Sequence, residues 1–178
     1  DGTECELSDE MLVIADAERP VAVAGIMGGA ETEIGSETDR ILLESARFDP
    51  VSVRRTSKTL GLSSDSSYRF ERGVDPEGVD AASRRACRLL LKYAADSLAG
   101  GALDRRSDAT QRPEVQLRVD RVNRVLGTDI GRDEIVSAFR GLELEVEDDE
   151  NDTLTVQVPS WRSDLEREID LVEEVARI

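Results

Sequence analysis

The sequence predicts an α+β protein in two modules, and three observations carry that expectation. Short β-rich apolar stretches stand near the start and near the end of the chain, and amphipathic runs with helical spacing lie among them. A polar, glycine-bearing stretch, GGALDRRSDATQRP at residues 100–113, separates the two sets and marks a boundary. With 178 residues, 39% of them hydrophobic, there is apolar material for a core in each module. Aromatics make up only 3%, so those cores are aliphatic. We place the division at 1–107 and 108–178.

In the first module, LVIAD and VAVAGIMGG read as two neighbouring strands or a hairpin about the Glu18-Arg19-Pro20 turn, the second ending in glycines. ILLESARF, residues 41–48, reads as a further apolar strand. Asp49 as N-cap and Pro50 at the first helical position then open a helix through VSVRRTSKTLGL that stops near Gly61. SSDSSYRFERGVDP reads as a loop. From Pro76 to about Leu98, the spacing of Val79, Ala82, Ala86, Leu89, Leu90 and Tyr93 predicts an amphipathic helix.

The second module reads as a strand at VQLRV, a short helix through DRVNRVLG and a helix around DEIVSAFRGL capped by Asp133. LELEVED and TLTVQVP alternate cleanly about the acidic turn DDENDT and predict a hairpin. A C-terminal helix, DLEREIDLVEEVARI, follows. Small helices beside a two-stranded wing make a winged-helix-like arrangement. No internal repeat or low-complexity tract is visible.

Composition excludes several function classes. The 39 Asp and Glu against 23 Lys and Arg give a net charge of −16, the wrong sign for gripping nucleic-acid phosphate unless a basic partner or a local patch supplies the contact. Histidine is absent, so Ser-His-Asp or Cys-His machinery and histidine-ligated zinc are excluded. Acid, base or metal chemistry therefore falls to carboxylates and hydroxyls. Cys5 and Cys87 lie far apart and form no disulfide or metal framework, which fits a reducing cytoplasm. No secretion signal and no 18-residue apolar run is visible, so neither export nor a membrane span is expected.

Four features are candidates for chemistry. On a C-terminal helix, Asp170 stands three residues from Glu173 and four from Glu174, so these carboxylates share a face, and Asp164 suits the helix start. With no cation placed among them, an all-oxygen set of this kind suits Mg²⁺ or Ca²⁺; a solvated acidic face is the competing reading. The hydroxyl-rich loop from Ser63 to Gly73 can orient a water or a polar ligand, or be only a turn. The glycine turn G-I-M-G-G at residues 25–29 permits positive φ or close approach of a ligand, but it matches no phosphate-binding fingerprint. Glu44 is the fourth, because a carboxylate alone in an apolar strand is either hydrogen-bonded or functional.

Taken together, VAVAGIMGGAETEIGSETDRILLESARFDPVSVRRTSKTLGL, SSDSSYRFERGVDP and VPSWRSDLEREIDLVEEVARI resemble the bacterial-type phenylalanine–tRNA ligase β-subunit family over nearly the whole chain. The resemblance implies the C-terminal part of a B3/B4 editing domain followed by a B5 domain, a section of a longer cytoplasmic subunit. It places the editing pocket on Gly28, Glu44, Ser64 and Ser66, with Ser66 where the family has a small apolar residue. Further pocket residues, a histidine among them, would come from a part of the family's domain without counterpart here. A glutamate in an apolar wall can recognise the hydroxyl that distinguishes tyrosine from phenylalanine.

The same resemblance implies a Mg²⁺ site at Asp164, Asp170, Glu173 and Glu174, shared with an α subunit in an α₂β₂ heterotetramer. ATP and tRNA(Phe) would be substrates of the complete enzyme, with no part for DNA or a membrane. The competing functions are a subunit-interaction scaffold with a degenerate pocket and a stand-alone winged-helix nucleic-acid binder.

Overall fold

A computed structural model of the chain describes residues 2–105, 113–148 and 152–178. Two compact units emerge, Asp1–Gly100 and Gly101–Ile178. The boundary expected between residues 107 and 108 lies outside the described residues.

The first unit opens with an antiparallel sheet of β1 (Val13–Ala15), β2 (Pro20–Val23) and β3 (Met27–Gly28), in that order. The expected hairpin forms because Asp16 closes its turn, accepting the amides of Glu18 and Arg19 at 2.8 Å each. Ile14 lies opposite Ala22, and Ala22 opposite Gly28. The strand expected at residues 41–48 is not formed. No neighbouring strand among the described residues offers it a ladder, and Leu42 is 99% exposed.

Helix α1 (Pro50–Leu60) follows its sequence signals closely. The Asp49 carboxylate accepts the Ser52 amide at 2.7 Å, and Gly61 ends the helix in the left-handed region at φ 66°. The expected loop after it contains instead a short helix, α2 (Asp65–Phe70). Serine density argued for a loop because serine competes with helical hydrogen bonding in helix interiors. Here Ser64 and Ser67 stand at the N-cap and N3 positions, where the same competition becomes a reciprocal capping box.

Helix α3 (Gly78–Tyr93) is strongly amphipathic but stops short of the expected Leu98, and none of its residues is buried. Leu89, Leu91 and Tyr93 lie exposed. The buried apolar residues of this unit, among those described, are Ala24, Ile26 and Val53, with the Phe48 and Phe70 rings 5.0 Å apart alongside.

The second unit holds β4 (Glu114–Arg118), α4 (Val119–Leu126), α5 (Arg132–Gly141), β5 (Glu145–Asp148), β6 (Thr153–Gln157) and α6 (Glu168–Ala176). The expected hairpin of β5 and β6 is present. β4 pairs antiparallel with the other side of β6, making a three-stranded sheet in the order β4-β6-β5. Val115 lies opposite Val156 and Leu117 opposite Leu154, so alternation delivers four buried side chains to one face. Val122, Ile135, Phe139, Leu165, Leu171 and Val172 pack on that face.

Two helix starts differ from expectation. α5 is capped by Gly131, with Asp133 inside its first turn, and α6 begins at Glu168 with Asp164 outside it. None of the described helices is long and apolar enough to cross a membrane.

Candidate functional site

The turn after β2 is built on glycine for two different reasons. Gly25 sits at φ 70°, and a Cβ there would stand 2.9 Å from the Phe48 ring and 3.1 Å from Val53, so only glycine admits this packing. Gly28 faces open space, with nothing within 4 Å of a Cβ. It borders a cavity of about 640 Å³ whose wall is mostly apolar, drawn from Ile14, Val23 and Met27 of the sheet and from Phe48, Phe70, Val74 and Val79.

Of the four residues expected at a pocket, Gly28, Glu44 and Ser66 line this one cavity. Glu44 reaches it from the irregular segment before α1, not from a strand. Glu44 is itself exposed, but partial desolvation raises the pKa of its carboxyl, and no hydrogen bond or ion pair compensates among the described residues. Ser66 contributes from the exposed side of α2.

Ser64 is placed elsewhere. It does not line the cavity; its hydroxyl donates to the Ile26 carbonyl at 2.5 Å and accepts the Ser67 amide at 3.1 Å. Its amide in turn donates to the Ser67 hydroxyl at 2.9 Å. Ser64 therefore ties the glycine turn to the start of α2, which carries Ser66.

A second carboxylate, Asp75, also lines the cavity, accepting the Glu77 amide at 2.9 Å. Sequence reading passed over it because an aspartate before proline reads as a turn former.

In the second unit, the four acidic residues expected at a metal site do not converge as carboxylates alone. The Arg162 guanidinium lies between two of them, 2.7 Å from Asp164 and 3.0 Å from Glu174. Asp170 accepts the amides of Glu166 at 3.1 Å and Arg167 at 2.8 Å, with the Arg167 side chain at 3.2 Å. Glu173 pairs with Arg177 at 2.9 Å. Hydrogen bonds from Arg162 hold the Asp164 pKa below its usual range, and those from Arg167 do the same for Asp170.

Arg162, Arg167 and Arg177 were thus the cations that the helical spacing of the acids concealed. The carboxylate oxygens suit Mg²⁺ in kind, yet no group of three metal-binding side chains stands together among the described residues. Beside this corner lies Trp161, 53% exposed.

Comparison with known proteins adds family relationships to this geometry. Residues 1–95 match the B3/4 domain, and residues 115–178 match the tRNA synthetase B5 domain. Among similar proteins, the phenylalanine–tRNA ligase beta subunit of Moorella thermoacetica is 50% identical over 178 residues, covering 100% of this chain and 22% of that protein. The beta subunit of Desulfotalea psychrophila is 49% identical over 181 residues, with the same coverage of 100% and 22%. That of Salinibacter ruber is 46% identical over 178 residues, covering 100% of this chain and 21% of its own length. The chain thus spans about a fifth of the length of these relatives.

Proposed function

Since the chain belongs to the B3/4 domain family and carries a tRNA synthetase B5 domain behind it, we propose that it serves as the editing and subunit-contact section of a phenylalanine–tRNA ligase β subunit. Its cavity would receive the aminoacyl end of tRNA(Phe) wrongly charged with tyrosine. The observation that carries this reading is Glu44, an unpaired carboxylate with a raised pKa in a largely apolar cavity bordered by Gly28 and Ser66.

A phenol hydroxyl placed against this carboxylate gives it a partner, whereas a phenyl ring would displace its water and leave it unpaired. That asymmetry favours tyrosine, since sites built to hydrogen-bond a hydroxyl reject the analogue lacking it. The cavity, about 640 Å³, is of the size that small-molecule sites occupy. Glu44 acts in recognition, and Ser66 adds a hydroxyl to the rim.

The test is deacylation of tyrosyl-tRNA(Phe) by the complete heterotetramer with Glu44→Ala. The expected result is a loss of roughly 10²-fold or more in kcat/KM, with phenylalanine attachment by the α subunit retained, consistent with removal of a hydrogen bond to a charged group. Unchanged deacylation would show the pocket to be degenerate and leave the scaffold reading in its place. Because burial raises the Glu44 pKa, its charge is lost at a higher pH than for an ordinary glutamate, so tyrosine recognition weakens early on acidification.

For the second unit the reading is a contact module for the α subunit in a cytoplasmic α₂β₂ enzyme, with Trp161 and Val125 as exposed apolar groups available to a partner. Asp164, Asp170, Glu173 and Glu174 would hold Mg²⁺ only with their arginine partners displaced. The arrangement as it stands does not fit the ion, and no step here runs through a metal. ATP enters only at the complete enzyme's activation site.

A further inference from the structure

The chain has 39 acidic residues against 23 basic ones, yet helix α1, Pro50 to Leu60, contains three cations and not one carboxylate. Lys58 stands four residues from Arg54 and three from Arg55, so it neighbours both on the helix surface. All three are exposed, opposite the buried Val53 and Thr56.

Elsewhere some arginines are neutralised within their own helix: Arg84 pairs with Asp80 on α3 and Arg124 with Asp120 on α4, each four residues away, while Arg85, Arg88 and Lys92 of α3 have no ion pair among the described residues. On α1 none of the three cations has an ion pair or hydrogen bond among the described residues. What sets α1 apart is that it carries no carboxylate at all, so its three exposed cations form a face open to an anion from outside.

The position of the face says which anion. Phe48 forms part of the cavity wall, Asp49 caps α1, and α2, bearing Ser66, packs against α1. At 1.5 Å rise per residue, Arg54 stands about 6 Å and Lys58 about 12 Å along the helix from Pro50. The cationic face therefore begins within one helix turn of a cavity-wall residue, Phe48, although no residue of α1 itself lines the cavity.

From this juxtaposition we infer that α1 is a phosphate-contact element, its Arg54, Arg55 and Lys58 binding the sugar-phosphate backbone of the tRNA whose aminoacyl end enters the cavity. The inference rests on the editing reading above for the identity of that polymer. It also supplies the local basic patch that composition alone required of any nucleic-acid contact.

The experiment measures tRNA(Phe) binding to the complete heterotetramer by fluorescence anisotropy across a salt series, for the unmodified enzyme and for the triple variant R54Q/R55Q/K58Q. Three lost contacts to single-stranded phosphate should flatten the slope of log K against log salt by about 2, and weaken binding on the order of 10-fold at low salt. The charge-conserving pair R54K/R55K should keep the slope, separating charge from folding.

An unchanged slope in the triple variant overturns the inference. So does a triple variant that keeps the slope but no longer co-purifies with the α subunit, which would make the face a protein contact. Glu44→Ala tests the pocket separately: it should cut deacylation by roughly 10²-fold or more while leaving the slope intact. Deacylation that survives Glu44→Ala, together with a flattened slope in the triple variant, would remove the editing reading and leave the RNA contact standing.

Discussion

Ser64 joins the glycine turn to the start of α2 through one small side chain. Its hydroxyl caps α2 through the Ser67 amide and holds the Ile26 carbonyl of the glycine turn, with Ser67 itself 2% exposed. Replacing Ser64 by Ala removes the cap and leaves a carbonyl without its donor, which costs about 1–2 kcal/mol. Thr, which retains the hydroxyl, should recover most of that. Urea unfolding of the three chains gives the stability difference. If Ser64 positions the pocket without touching substrate, Ser64→Ala should lower deacylation chiefly through KM for tyrosyl-tRNA, and an unaffected KM would assign it to folding alone.

Of the residues expected at a pocket, Gly28, Glu44 and Ser66 border one cavity and Ser64 does not. Ser64's part was not legible in the sequence, because its partner, Ile26, lies 38 positions away and is a backbone carbonyl carrying no side-chain signature.

Elements tell a similar story in their joints. α6 is fastened to β4 by one carboxylate: Glu168 takes two hydrogen bonds from the Arg118 guanidinium, at 2.7 and 2.9 Å, and one from the Arg118 amide at 3.1 Å. Arg121 Nε stands 3.3 Å away without hydrogen-bond geometry. Arg118 above all holds the Glu168 pKa down at about 2, against an ordinary 4.5. A depressed carboxylate contributes stability that is complete above its unfolded-state pKa and is lost as pH falls through the folded one. That window runs from about 4.5 down to about 2.

After discounting for the half-exposed Arg118, the joint is worth about 1–2 kcal/mol. Glu168→Gln should therefore lower the unfolding midpoint of the second unit at pH 7 and narrow its gap from the unmodified chain as pH drops toward 2. A gap that stays constant with pH would exclude an ionic joint.

Caps and alternation made α1 and the β5–β6 hairpin readable, since those signals are local. The 41–48 segment has equally apolar residues but forms no strand, because a ladder needs a neighbour and no local pattern reports one. α6 began four residues later than its acidic pattern suggested, because Asp170 turns back to the Glu166 and Arg167 amides and fixes the start there.

Across the whole molecule, burial is unevenly shared. The second unit encloses a continuous aliphatic core in which Phe139, Leu117, Leu154 and Leu171 are fully buried. The first, the larger in residues, buries Ala24, Ile26 and Val53 and leaves the apolar side of α3 at most partly covered among the described residues. Since burial supplies most of the stabilisation at about 25 cal/mol per Å², thermal or urea unfolding of the 178-residue chain should proceed in two steps, the first unit at the lower midpoint. Hydrogen exchange should show β4, β6 and α6 protected long after α1 and α3 have exchanged. A single transition reported alike by probes in both units would refute this division of stability.

The chain's one tryptophan, Trp161, falls in the second unit, half exposed and next in sequence to the arginine that bridges Asp164 and Glu174. Its emission is therefore a native optical label for that corner, to which the first unit, lacking any tryptophan, contributes nothing. A shift in its colour on adding a partner subunit or a divalent cation would localise the event without any dye, and in a melt it would follow one half of the protein while circular dichroism follows both.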